Sequence, residues 1–224
     1  MSTGQRNRLV VLLALVSGAT DATGFLALGG AFTSVMTGNM VLMGVAVGSA
    51  DASAAALILS AFGGYVAGAA LGTRVAGTPQ PEDPTWPAAV SRALAIELAL
   101  FAVFAAAWWL LGSDPSTAWG APLLALTAMA LGLQSSAILR FGVPGLSTTY
   151  LTGTLTTVVG RLVSRQPLHT VRHSTAVLVA LVAGAAAGSA LVTQLPAAAP
   201  ALQLVLLGVV LAATRAPRRE RVVV

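Results

Sequence analysis

Long apolar runs alternate with short polar or proline-containing breaks along the whole chain. A helix needs about 20 mostly apolar residues to cross a hydrocarbon core of roughly 30 Å. Several of the runs reach that length, and no break is long enough to hold a soluble domain. The pattern predicts an all-α integral membrane protein with a single membrane domain over residues 1–224. Its eight apolar segments are 9–30, 33–50, 53–76, 90–112, 119–139, 146–163, 173–194 and 199–213.

The composition excludes several classes of protein. Hydrophobic residues make up 56% of the 224 residues and charged residues only 8%, whereas an ordinary globular domain has about 25% charged residues. A soluble enzyme is therefore not expected. All 12 basic residues are arginines scattered between apolar runs, so we expect no nucleic-acid partner. The absence of cysteine excludes disulfides and thiolate metal sites.

The arginines predict how the segments cross the membrane. If all eight segments span, Arg74, Arg92 and Arg140 lie outside and the arginine-free 113–118 loop lies inside, against the positive-inside rule. If the second and sixth segments instead enter the membrane and return to the same side, six helices span and every arginine faces the cytoplasm. We therefore predict six spanning helices, two re-entrant or broken segments, cytoplasmic termini and a cytoplasmic Arg-rich tail at 214–224.

An internal repeat accompanies this topology. Met36–Met40 reads Met-Thr-Gly-Asn-Met, and Leu151–Leu155, 115 residues later, reads Leu-Thr-Gly-Thr-Leu. With three spanning helices in each half, the two repeats (about 9–112 and 119–213) are inverted, as in many transporters that bind solute near the midplane. Glycines spaced by four stripe the helix after each Thr-Gly segment: Gly64, Gly68 and Gly72, then Gly184 and Gly188. Such stripes let helix backbones approach closely, either within the chain or between two copies of it.

The two Thr-Gly segments are the predicted binding elements. Backbone that leaves a helix at membrane depth must be buried in protein or line a wet cavity, and helix N-termini favour an anion or a polar group. The alternative is that the hydroxyls only bond back to their own helices. The predicted ligands here are Thr37, Gly38, Asn39, Thr152, Gly153 and Thr154. Their polar neighbours are Thr33, Ser34, Ser147, Thr148, Thr149, Tyr150, Thr156 and Thr157.

Two further polar residues lie deep in apolar segments. Asp21 is 12 residues into the first segment, roughly 18 Å along a helix, where an acid is costly and is by default a functional candidate. Gln134 occupies the related part of the fifth segment. Asp21 is predicted to titrate or to coordinate a cation, and Gln134 to line the same site. The alternatives are a purely structural carboxyl and an amide that only bridges helices.

The remaining candidates are weaker. Glu97 and Arg140 are secondary site residues, because Glu97 lies about a turn and a half inside the fourth segment and could simply pair with Arg92 or Arg140 near the cytoplasmic interface. His169 and His173 have the spacing of two metal ligands, but they lie in a predicted cytoplasmic loop with Arg172 between them, so no metal site is expected. The sequence contains no nucleotide-binding or hydrolase motif, so we expect neither catalysis nor a cofactor. The tryptophans predicted as interfacial anchors are Trp86, Trp108, Trp109 and Trp119.

Two signatures resemble those of the YoaK-like family of bacterial inner-membrane proteins. The first comprises Ser17–Ala22, Gly24–Leu28, Phe32 and Met36–Leu42; the second comprises Gly132–Ser135, Val143–Gly145 and Thr148–Leu155. The chain departs from the family pattern at Ser135-Ser136 after Gln134, where an Asn-Ala pair is expected. The resemblance covers nearly the whole chain and implies a compact, multi-pass, permease-like protein of the bacterial inner membrane. It implies no particular substrate.

The leading hypothesis is a permease for a small polar or anionic solute or ion, with proton coupling through Asp21 as an added option. The rival is a non-transporting membrane scaffold or assembly partner in which Asp21 and the glycine stripes serve packing alone. The expected partners are the lipid bilayer and a small solute or ion. Association of two copies through the glycine-striped helices is left open.

Overall fold

The computed structural model describes residues 1–114, 117–143, 148 and 151–215. Within these ranges the chain forms helices and no strand. The predicted break at 144–145, the polar residues Ser147, Thr149 and Tyr150, and the tail beyond residue 215 lie outside the described residues. The helices are α1 (Thr3–Ala27), α2 (Met36–Gly48), α3 (Ala52–Ala76), α4 (Ala88–Leu110), α5 (Thr117–Leu139), α6 (Leu151–Val163), α7 (Arg172–Gln194) and α8 (Ala199–Arg215). Short 3₁₀ turns at Leu168–Thr170 and Pro196–Ala198 flank α7.

Six of these helices are long and apolar enough to cross a membrane: α1, α3, α4, α5, α7 and α8. The two others, α2 and α6, have 13 residues each and reach only about 20 Å, too little to span the hydrocarbon core. The prediction of an all-α membrane protein with six spanning helices is confirmed. Each of the eight apolar segments contributes one helix, although α2 begins three residues later than its segment.

Glycines determine how α3 packs against α5. A Cβ added at Gly68 would collide with the backbone carbonyl of Met129, and the same holds one turn earlier and one turn later along both helices. Because the contacts advance together along the two helices, α3 and α5 run parallel. The facing pairs are Gly64 with Ala125, Gly68 with Met129, and Gly72 with Leu133.

The same kind of packing joins α1 to α7. Gly184 lies against the carbonyl of Leu15, and Gly188 lies against that of Ala19, so these helices are also parallel. The α1–α7 and α3–α5 pairs make the most extensive helix contacts in the described fold. Both glycine stripes are therefore covered by helices of the same chain. A dimer formed through them would have to displace these contacts.

Helices α1 and α5 form the centre of the bundle, since they are the most buried of the spanning helices. They run antiparallel: Gly120, near the start of α5, lies against Leu28 beyond the end of α1, whereas Gln134 near the end of α5 contacts Leu13. Both polar residues predicted for the site, Asp21 and Gln134, lie on these two central helices.

Hydrogen bonds join the C-terminal end of α4 to the connection between α7 and α8. The indole N–H groups of Trp108 and Trp109 donate hydrogen bonds to the carbonyls of Pro196 and Ala197, each at 2.8 Å. Trp108 is completely buried, so its prediction as an interfacial anchor is wrong. The reason is that its N–H finds a backbone partner inside the protein instead of water at the membrane surface.

Candidate functional site

Asp21 binds the loop that leads into α2. Its Oδ1 accepts hydrogen bonds from the backbone N–H of Thr33 (2.8 Å), the Thr33 hydroxyl (2.9 Å) and the backbone N–H of Ser34 (2.7 Å). Its Oδ2 accepts one from the Ser34 hydroxyl at 2.5 Å. All three residues are buried. The carboxyl therefore accepts four hydrogen bonds from two residues, and these bonds hold residues 33–34 beside α1.

Asn39, on α2, also forms hydrogen bonds to this loop. Its Oδ1 accepts from the backbone N–H of Phe32 at 2.9 Å, and its Nδ2 donates to the carbonyl of Phe32 at 2.7 Å. The amide thus pairs with one backbone unit as a neighbouring strand would. Since Asn39 is in the first turn of α2 and completely buried, this pair sets where α2 begins.

The other members of the two Thr-Gly motifs face outward. Of the remaining predicted ligands, Thr37, Thr152 and Gly153 are exposed on the described bundle, Gly38 is half-buried, and Thr154 is buried. Helix α2 packs against α3, and α6 packs against α7. The structure does not bring Thr37 and Thr152 together in a buried site, because each short helix packs on its own neighbour instead of on the other one.

Some hydroxyls of α6 bond within their own helix. Thr156 donates to the carbonyl of Thr152 at 3.1 Å, and Thr157 donates to that of Gly153 at 2.9 Å. This is the alternative that the sequence left open for the Thr-rich segments. It accounts for two of the polar side chains without a solute.

Gln134 is the polar centre of the second half. It is completely buried, and its Nε2 lies within hydrogen-bonding distance of the hydroxyls of Ser17 (2.9 Å) and Thr148 (3.2 Å) and of the Leu13 carbonyl (3.4 Å). Its Oε1 has no hydrogen-bond partner among the described residues. A buried amide oxygen without a partner is costly, and none of the described residues donates a hydrogen bond to it.

Asp21 and Gln134 occupy comparable places in the two halves. Each lies on a central helix, and each bonds to the loop before a short helix, at Thr33 and Ser34 in one case and at Thr148 in the other. The antiparallel register of α1 and α5 separates the two side chains by about two helical turns, or roughly 10 Å along the bundle axis.

Glu97 and Arg140 do not pair. Arg140 forms a bidentate salt bridge with Asp83, with distances of 2.6 and 2.7 Å, and also donates to the carbonyl of Ala76. The bonds from Arg140 hold the pKa of Asp83 below its ordinary value. Glu97 is completely buried, and neither carboxyl oxygen has a partner within the described ranges. The suggested pairing of Glu97 with Arg92 or Arg140 is therefore wrong, because Arg92 is exposed and Arg140 binds the linker acid Asp83.

No group of three or more His, Asp or Glu side chains in the described part of the chain could hold a metal ion. The polar groups that gather around α1 and α5 are mainly hydroxyls and amides, with one carboxyl. Such a set can bind a small polar solute or water by hydrogen bonds.

The comparisons with known proteins agree with the fold. Residues 9–213 match the family model described as "Protein of unknown function (DUF1275)". The chain belongs to this family. It is also similar to the UPF0700 transmembrane protein YoaK of Bacillus subtilis (strain 168), with 35% identity over 176 residues, which are 77% of this chain and 76% of that protein. No solved structure matches the chain.

Membership in the DUF1275 family confirms the resemblance predicted from the paired signatures. Together with the six spanning helices, it makes the chain a multi-pass transmembrane protein of this family. The chain's departure at Ser135–Ser136 also has a structural explanation. The Ser136 hydroxyl donates to the carbonyl of Ala69 on α3 at 2.9 Å, whereas Ser135 bonds within α5.

Ser17 is the site residue that sequence reasoning missed. It precedes Asp21 by four residues, so both lie on one face of α1, and its hydroxyl binds Gln134. That spacing was a usable signal. Asp83, the partner of Arg140, had no comparable signal because it lies in the proline-rich linker between α3 and α4.

Proposed function

We propose that this protein is a permease of the bacterial cytoplasmic (inner) membrane for a small polar or anionic solute or ion, with both termini in the cytoplasm. The observation that carries the proposal is the buried Oε1 of Gln134, to which no residue in the described ranges donates a hydrogen bond. A solute or water that donates a hydrogen bond there would complete the polar cluster formed with Ser17 and Thr148.

The proposal includes an inverted repeat. If α1–α4 correspond to α5–α8, the parallel pair α1–α7 corresponds to α5–α3, and the two pairs share the same glycine-to-backbone packing. Gly18 on α1, which fits against Leu181 of α7, then corresponds to Gly132 on α5, which fits against Tyr65 of α3. These correspondences support a two-fold relation whose axis passes between the antiparallel central helices.

The short helices support the re-entrant arrangement. The hydrogen bonds to Asp21, six residues before the end of α1, hold Ser34 about 9 Å back along that helix. Helix α2 then begins at Met36 without a side-chain cap. The chain would thus enter from one side, turn at the level of Asp21 and return to the same side. Uncapped N–H groups at that depth would favour a polar or anionic solute.

The rival function, a scaffold that transports nothing, also has an observation in its favour. Asp21 has four hydrogen-bond partners within the chain, and Thr37 and Thr152 face outward. Under this alternative the polar residues only fix the loops, and no water reaches Gln134.

Single cysteines distinguish the two functions, and the chain has none of its own. The informative positions are the buried Gln134 and Thr148, and Ala130 on α5 is the matched buried control. Each variant is treated with a membrane-impermeant thiol reagent in right-side-out and inside-out vesicles. A permease predicts labelling at positions 134 and 148 from at least one side and none at 130. A scaffold predicts that 134, 148 and 130 are equally unreactive, which would overturn the proposal.

A further inference from the structure

Glu97 is the one described acid whose carboxyl oxygens are both buried and without a hydrogen-bond partner. It is the tenth of the 23 residues of α4, about 14 Å from the first, and therefore near the middle of a spanning helix. Asp21 differs sharply, because its carboxyl accepts four hydrogen bonds. Of the two acids inside the described spans, only Glu97 is left without a partner.

The helices that pack against α4 supply no countercharge to Glu97. They are α3, α5 and α8. Helix α5 has no charged residue, and α3 and α8 have one arginine each: Arg74, two residues before the end of α3, and Arg215, the last residue of α8. Both arginines are exposed, as is Arg92 on α4 itself. The remaining titratable side chain on these helices is Tyr65 of α3.

Helix α8 is apolar at the level of Glu97. The Ser91 and Thr214 hydroxyls, 3.3 Å apart, set the register between the antiparallel helices α4 and α8. Six residues inward from this pair, Glu97 lies level with Gly208, next to the buried Leu207. The buried polar side chain on α8 is Gln203, further along the helix. Its amide nitrogen bonds to the carbonyl of Ala199 at 2.8 Å, in the amide orientation that satisfies both of its ends.

An ionised carboxylate without a partner in such surroundings is strongly disfavoured, and the group is neutral instead. A neutral carboxyl holds a proton. A metal ion would require several oxygen ligands around it, and the described residues near Glu97 provide no such set. An apolar side chain would fill this place without the cost of burying an acid. A bound proton therefore accounts for the burial of this acid.

We propose that Glu97 is a proton-binding site inside the membrane, and that it, instead of Asp21, exchanges protons with water when the bundle changes conformation. The proton site stands on the geometry of Glu97 alone. Its use to couple protons to solute movement rests on the proposed permease function. Release of the proton requires a conformation in which α4 separates from α5 or α8 and water reaches the carboxylate.

The test is modification of the purified full-length protein by dicyclohexylcarbodiimide, an apolar reagent that attacks protonated carboxyls in apolar surroundings. Intact-mass and peptide mass spectrometry give the extent and the position of the modification. We expect modification at Glu97, with a rate that falls at least about tenfold between about pH 5 and about pH 9 as the proton is lost. Glu97→Gln should lose the modification, and Glu97→Asp should keep it.

Two matched variants keep the result interpretable. Glu82→Gln makes the same chemical change at an exposed linker acid and should leave the modification unchanged, as should Asp21→Asn. Modification at Asp21, a rate independent of pH, or an unmodified Glu97 in folded protein would each overturn the proposal.

If Glu97→Gln fails to fold, the pH dependence of the wild-type modification still decides. The reaction requires no solute, so pH-dependent modification together with a negative cysteine scan would remove the permease function while supporting the proton site.

Discussion

The hydroxyl of Ser34 lies 2.5 Å from Oδ2 of Asp21, which joins the loop before α2 to the interior of α1 across 13 residues of chain. This contact and the three hydrogen bonds at Oδ1 hold the loop beside α1, several residues before the C-terminal end of that helix. Together with the pairing of Asn39 and Phe32, these bonds determine where α2 begins.

The acceptor role of Asp21 predicts a difference between two substitutions. Asp21→Ala leaves the donors of Thr33 and Ser34 buried without an acceptor and should lower the free energy of unfolding by about 3 kcal/mol. Asp21→Asn keeps an oxygen for the three donors at Oδ1, and its new NH₂ can donate to the Ser34 oxygen. Its cost should be below about 1 kcal/mol. Thermal unfolding in detergent, followed by intrinsic fluorescence, measures both. Equal losses for the two variants would mean that a carboxyl is required and would contradict the acceptor role.

Asn39→Asp should destabilise the protein, whereas the opposite exchange at position 21, Asp21→Asn, should be tolerated. In Asn39→Asp a carboxylate oxygen replaces the NH₂ that donates to the Phe32 carbonyl, so two acceptors face each other in a buried place. We expect a loss of about 2 kcal/mol or more, together with increased thiol reactivity of a cysteine at position 37 as the start of α2 loosens. Ser49→Ala, at the exposed end of α2, is the control and should alter neither measurement.

Helix number and length followed from the sequence because a bilayer imposes a minimum apolar length on any spanning helix. The glycine stripes were equally visible, since spacing by four repeats on one helix face. What the stripe of Gly64–Gly72 cannot reveal is its partner. Any helix with small residues would accept it, and only the complete bundle places α5 there.

The site itself was predictable only in part. Asp21 and Gln134 were recognisable because polar residues deep in apolar segments are costly. Their partners were not all recognisable, because each depends on how distant parts of the chain pack. Ser17 meets Gln134 across 117 residues, and Arg140 meets Asp83 across 57. Asp21 accepts the hydrogen bonds of Thr33 and Ser34, and Thr37 faces outward.

The salt bridge between Asp83 and Arg140 predicts a loss of stability in acid. The pKa of Asp83 is lower in the folded protein than its ordinary value because of the bonds from Arg140, so folding favours the carboxylate. This stabilisation is fully present above the unfolded pKa of about 4 and is lost as the pH falls through the lower, folded pKa. Asp83→Asn should therefore melt at a lower temperature than wild type near neutral pH, and the difference should vanish in strong acid.

Melting temperatures of wild type and Asp83→Asn, measured from about pH 7 down to about pH 1, test this salt bridge. Glu82→Gln, at the exposed neighbouring acid, should follow wild type throughout. A gap between wild type and Asp83→Asn that persists unchanged below the folded pKa would show that the asparagine acts through packing instead of charge.

Glycine-to-alanine substitutions give the sharpest test of the packing, because some glycines face backbone and others face open space. A Cβ at Gly68 or Gly184 would overlap the carbonyl of Met129 or Leu15, neither of which can move without separating two helices. Each substitution should lower the free energy of unfolding by about 1–3 kcal/mol.

Gly153 and Gly160 of α6 are the controls, because they have no neighbouring atom within 4 Å of an added Cβ. Alanine there should be neutral or stabilise by up to about 1 kcal/mol through its better helix propensity. Because all four changes add one methyl group to a helical glycine, thermal unfolding of the four variants isolates the helix contact. If Gly68→Ala and Gly153→Ala melted alike, the close pairing of α3 with α5 would be refuted, and with it the strongest support for the two-fold relation.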